Sequence, residues 1–132
     1  MKFMPGMTEK EKVEALERII IVHSIIYYEL NSSVISDQKF DKLARLLAKK
    51  IQKHGEKRIR KTQYGYVLYD FDGTTGFDIM GRLNEKDKSY LTNLAEHVLL
   101  AAEEEVKYEN RSKKINNDGK VTAKRKRSSS RV

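Results

Sequence analysis

Apolar positions recur at three- and four-residue spacing through three stretches of the chain. Val13, Leu16, Ile20, Tyr27 and Leu30 mark the first; Phe40, Leu43, Leu46, Leu47 and Ile51 the second; Leu91, Leu94, Ala95, Val98, Leu99, Ala102 and Val106 the third. That period sets each group on one helical face and predicts helices over about 9–30, 37–54 and 85–108. Each has a start signal. Thr8 and Glu11 form a capping box, Ser36 can accept a free N–H of the second helix, and Asn84 can cap the third. Ile19 to Val22 is apolar all round, which points to a first helix covered on several sides, with His23 as a core or hinge residue. The pattern changes at 64–71, where aromatic and β-branched residues predict a strand. Asp72-Gly73-Thr74-Thr75 reads as a turn and 76–80 as the returning strand of a β-hairpin.

The expected fold is therefore a small α+β domain, mostly helical, over residues 1–109. It comprises a helical hairpin, one β-hairpin inserted at about 63–82, and a third long helix. Residues 110–132 are expected to form a flexible, disordered basic C-terminal tail.

Charge changes this picture only locally. The net charge is +8, and residues 110–132 alone hold nine basic groups against Asp118, so the body is neutral. Within the body, residues 49–61 concentrate seven Lys and Arg against one Glu. Lys49, Lys50, Lys53, Lys57, Arg58, Arg60 and Lys61, with Lys124, Arg125, Lys126 and Arg127 of the tail, are the candidates for anion or nucleic-acid contact. Such contacts read phosphate and carry no sequence information. The absence of cysteine excludes a disulfide framework, a thiol nucleophile and a cysteine zinc site. No apolar run reaches the ~18–20 residues of a membrane span. The start Met1–Met7 lacks the features of a signal peptide, so a cytoplasmic protein is expected, with no membrane partner.

Candidate chemistry gathers where the first helix ends and the second begins. Tyr27 and Tyr28 close one helix, while Asp37 and Asp41 sit at i and i+4 on the next, beside Phe40. This run, Tyr27-Tyr28, a short connection, then Ser36-Asp37-x-x-Phe40-Asp41-x-Leu43, resembles the N-terminal Ia domain of bacterial NAD-dependent DNA ligases. That family shows an aromatic pair, a connection, and Ser/Pro-Asp-x-x-Tyr-Asp-x-Leu, and the resemblance covers about residues 13–54. It implies a domain that closes over the nicotinamide mononucleotide (NMN) half of NAD. Tyr27, Tyr28 and Phe40 would hold the ring, and Asp37 and Asp41 would accept from amide or ribose hydroxyl donors. Phe40 stands where the family has Tyr, so it can stack without donating. Asn31-Ser32-Ser33 stands where Asp-x-Pro is usual.

The ligase adenylation motif Lys-x-Asp-Gly does not occur, since Asp72-Gly73 follows Asp70-Phe71. Val67 to Thr75 resembles motif I of the haloacid dehalogenase superfamily, Asp-x-Asp-Gly-Thr after an apolar strand. That resemblance implies Asp70 as nucleophile and Asp72 as general acid/base beside Mg²⁺. Against it, only about sixty residues follow, the next segment reads as a strand, and no downstream acidic pair completes a metal site. The expectation is binding without catalysis, with no catalytic residue, no metal and no required cofactor. A protein partner comes first: a host protein of DNA metabolism or defence, inhibited or redirected as phage and mobile-element proteins do. NMN or NAD as ligand, and non-specific nucleic acid, are the alternatives.

Overall fold

The computed structural model describes residues 3–73 and 78–116, and side chains as far as Tyr108. Helix α1 (Glu9–Tyr28) starts where both halves of the capping box close. Thr8 Oγ1 accepts from the Glu11 N–H at 3.1 Å, and Glu11 Oε1 accepts from the Thr8 N–H at 2.8 Å. Leu16, Ile20, Ile21, Ile25 and Ile26 are all fully buried, because α1 lies between α2 (Asp37–His54) and the last helix. Each such side chain contributes about 1.5–3 kcal/mol on burial, so this central helix dominates the core. Ser36 caps α2 by accepting from the Lys39 N–H at 3.1 Å. Leu43, Ala44, Leu47 and Ile51 face α1, and Gly55 at φ +88° ends the helix after Lys53 and His54.

Three one-turn helices follow: α3 (Glu56–Ile59), α4 (Gly65–Leu68) and α5 (Ile79–Arg82). The last helix, α6 (Glu85–Asn116), begins where Asn84 Oδ1 accepts from the Asp87 N–H at 2.8 Å. It runs past the expected end at 108, through 32 residues, and so is about 48 Å long. Leu91 and Ala95 bury against α1. Among the described residues, no helix is long and apolar enough to cross a membrane.

The expected β-hairpin is not formed; the described residues contain no strand. Its first half folds as α4 and its neighbouring turns, and Ile79-Met80 opens α5. Thr74, Thr75, Gly76 and Phe77 lie outside the described residues. The burial period explains the outcome. Tyr64, Val67 and Leu68 are buried at i, i+3 and i+4, which is helical spacing, and the N–H groups of Val67 and Leu68 both donate to the Tyr64 carbonyl. Aromatic and β-branched composition marks a fit to buried surface, and here that surface is the side of a helical bundle. Gly65 permits the approach: a Cβ there would stand 1.7 Å from the Ile59 carbonyl oxygen.

A buried acid fixes the same segment to α1. Glu17 is fully buried, its Oε1 accepts from the Tyr64 N–H at 3.1 Å, and Glu14 Oε2 accepts from the Gln63 N–H at 2.9 Å. Thr62 Oγ1 lies 2.5 Å from Glu17 Oε2 and 2.6 Å from the Ile59 carbonyl oxygen. A hydroxyl has one proton and cannot donate to both. If Glu17 is protonated, its acid O–H donates to Thr62, Thr62 donates to Ile59, and every group is served. Burial pushes the Glu17 carboxyl up to about 7, against the hydrogen bonds from Thr62 and Tyr64, which favour the charged form.

Candidate functional site: the corner between α1 and α2

The end of α1 sets the aromatic pair. The last turn widens: the Leu30 N–H donates to the Ile25 carbonyl at 3.1 Å, and the Ser32 N–H to the Ile26 carbonyl at 3.0 Å. Asn31 takes φ +50°, a left-handed conformation its short polar side chain tolerates. The chain then turns back, and Tyr27 and Tyr28 are left 55% and 46% exposed at the mouth of a cavity of about 290 Å³. Their rings meet edge to face, with centroids 4.8 Å apart.

All five residues expected at a ligand site line this cavity. Tyr27 and Tyr28 come from α1, and Asp37, Phe40 and Asp41 from the first turns of α2, with Ser33, Val34 and Ile35 of the connection closing the side. Phe40 is half-buried, and its ring packs against the core. Asp37 and Asp41 are exposed, and neither has a hydrogen-bond or ion-pair partner among the described residues. The cavity thus offers aromatic walls and two uncommitted acceptors.

Sequence reasoning missed the lining residues His23 and Ser24 of α1, besides Ser33, Val34 and Ile35 of the connection. Ser24 is 3% exposed, and its hydroxyl has no hydrogen-bond partner; the His23 Nδ1 is buried and equally unpartnered. Burial pushes the His23 imidazole below its usual range, and the charge of Lys39 adds to this, so the ring is neutral at physiological pH. A neutral imidazole has one donor and one acceptor nitrogen. Unserved buried polar atoms are uncommon and cost about 1–3 kcal/mol each. Their position was legible: 23 and 24 stand one helical turn before 27 and 28.

No protein-family model matches the chain, and no solved structure matches it. A DNA ligase of Phocaeicola vulgatus is 44% identical to it over 52 residues, which is 39% of this chain and 8% of that ligase. The chain carries a DNA-ligase-related region. It spans a small fraction of the length of the curated relative it matches.

Elsewhere in the chain, the basic segment divides. Lys50 pairs with Glu9 at 2.6 Å, and Arg60 pairs with Glu56 at 2.8 Å while lying over the Tyr69 ring at 3.6 Å. Lys53 and Lys57 are exposed, Lys49 is exposed beside a groove with Asp70 and Phe71, and Arg58 and Lys61 line a second cavity. Lys124, Arg125, Lys126 and Arg127 lie outside the described residues. Asp70 and Asp72 share a small cavity of about 150 Å³ with Arg82. Arg82 donates to Asp70 at 2.7 Å and holds its carboxyl below the usual range. Among the described residues, no group of three or more His, Cys, Asp or Glu could hold a metal ion.

Proposed function

We propose that this chain is a non-catalytic binding module built on a ligase Ia-like helical hairpin, and that its α1–α2 corner takes nicotinamide mononucleotide. The observation carrying the reading is the convergence of Tyr27, Tyr28, Asp37, Phe40 and Asp41 on one cavity. The nicotinamide ring of NMN is a planar cation. Aromatic faces attract such a ring, and two uncommitted carboxylates compensate its charge or accept from its amide and ribose hydroxyls. The unpartnered Ser24 hydroxyl and His23 Nδ1 favour a ligand that carries its own hydrogen-bonding groups. At about 290 Å³ the cavity suits one ring and its sugar; the adenylate half of NAD would remain outside it. Affinity is therefore expected to be modest.

The test is titration of the full chain with NMN, read by backbone amide shifts. Shifts centred on Tyr27, Tyr28, Phe40 and Asp41, lost in Asp41→Ala with the fold intact, support the reading. No shifts at millimolar NMN overturn it. A second reading, a protein partner of DNA metabolism or defence, is favoured by Leu100 and Tyr108. They stand eight residues apart on α6, at 59% and 67% exposure. Paired substitution of both by Glu would then abolish capture of that partner while leaving NMN binding unchanged.

A further inference from the structure

The second cavity, of about 380 Å³, lies at the opposite end of the same helix pair, where the start of α1 meets the end of α2 and the α3 corner. Residues 9 and 27 of α1 are roughly 27 Å apart along the axis, so one mononucleotide cannot fill both cavities. Val13 and Ile59 form its floor, and Lys10, His54, Arg58 and Lys61 stand around it. Glu9, on the rim, is a carboxylate already neutralised by Lys50 at 2.6 Å, and that hydrogen bond holds it below its usual range. Lys10, Arg58 and Lys61 have no ion-pair partner among the described residues. His54 Nε2 is buried without a hydrogen-bond partner, since Glu9 Oε2 at 3.7 Å is beyond hydrogen-bond reach.

We infer that this cavity is a phosphate-binding site. Three uncommitted cations from two separated segments converge on a recess whose one acid is spent. Arg58 brings a planar fork that fits two phosphate oxygens, Lys10 and Lys61 bring point charges, and His54 brings a nitrogen that a phosphate oxygen or hydroxyl can serve. The three cations are exposed at the rim, so their pull on a phosphate weakens as salt rises and variants are compared at one ionic strength. The phosphate is that of a free phosphate ester or of a nucleic-acid backbone. The site is independent of the nicotinamide reading, because it shares no residue with that cavity.

The experiment titrates the full chain with inorganic phosphate at fixed ionic strength, read by amide shifts, and repeats it in variants. Phosphate is expected to move the amides of Lys10, His54, Arg58 and Lys61. Arg58→Gln with Lys61→Gln should weaken binding about tenfold or more, and Lys49→Gln with Lys53→Gln, an equal charge change outside the cavity, less than about twofold. Lys10→Gln, on a different helix, should also weaken it while leaving the α3 corner untouched. A short single-stranded oligonucleotide that competes with phosphate at these amides assigns the group to a nucleic-acid backbone. An oligonucleotide that does not compete assigns it to a free ester. Equal weakening by both double variants would show diffuse charge and overturn the site, as would phosphate that moves none of these amides.

Discussion

Glu17→Gln removes one titration from the core while keeping its hydrogen bonds. The glutamine amide N–H can donate to Thr62, Thr62 to the Ile59 carbonyl, and the amide oxygen can accept from Tyr64, as the protonated acid does. The ordinary value for this carboxyl is 4.5, and burial raises it to about 7 in the folded chain. Between those values the folded protein holds a proton that the unfolded chain has released, so rising pH draws the chain toward unfolding. The stabilisation is complete below pH 4.5, is lost as pH rises through about 7, and is level above that. The difference corresponds to about 3 kcal/mol. Urea unfolding of both proteins, followed by helical circular dichroism from pH 4.5 to 8, checks it. Near pH 4.5 the two should agree to within about 0.5 kcal/mol, since only a neutral hydrogen-bonded group has been exchanged. At pH 8 the variant should be the more stable by about 3 kcal/mol. That moves its midpoint up by about 1.5 M urea for a slope of about 2 kcal/mol/M. A difference that does not change with pH would refute the protonated chain from Glu17 through Thr62 to Ile59.

Gly65→Ala should destabilise by at least about 3 kcal/mol and lower the melting temperature by about 15 °C, because the new methyl meets backbone at Ile59 rather than a yielding side chain. An unchanged melting curve would deny that close approach. Tyr66 donates to Asp87 Oδ2 at 2.7 Å and accepts from the Asn84 N–H at 3.1 Å, and burial first, then Asp87, pushes its phenol up to about 12. Tyr66→Phe should therefore cost about 1–2 kcal/mol and speed amide exchange at Asn84, with unaltered exchange counting against a tether at the start of α6. The two proposed sites, for nicotinamide and for phosphate, add their own tests through Asp41→Ala and through Arg58→Gln with Lys61→Gln.

The long helices were readable because their signals are local. Thr8 with Glu11, Ser36 and Asn84 all cap where expected, and α2 keeps its predicted bounds. The gathering of five residues at the α1–α2 corner was readable for a related reason. Tyr27, Tyr28, Asp37, Phe40 and Asp41 sit within one helical hairpin, so spacing alone brings them together. Residues 64–71 fold otherwise because their conformation is set from a distance: Glu17, more than forty positions earlier, takes the Tyr64 N–H that a strand would have spent on a partner, and Glu14 takes that of Gln63 just before it. The cation-lined cavity was half legible for the same reason. The run of cations at 49–61 is plain, but which are consumed depends on Glu9 across the bundle and on Glu56 and Tyr69.

The unequal lengths of α1 and α6 have a thermodynamic consequence. Twenty residues of α1 extend about 30 Å against about 48 Å for α6, so the last part of α6 overhangs its support. Val98 and Leu99 still touch the core, whereas 103–108 are all exposed. An isolated helix of that length is marginal in water. One continuous helix is thus two cooperative units, its first half unfolding with the protein and its second melting ahead of it. A heating curve followed at 222 nm should begin its descent before the core moves, and a protease that trims the overhang should leave the core's melting temperature where it was.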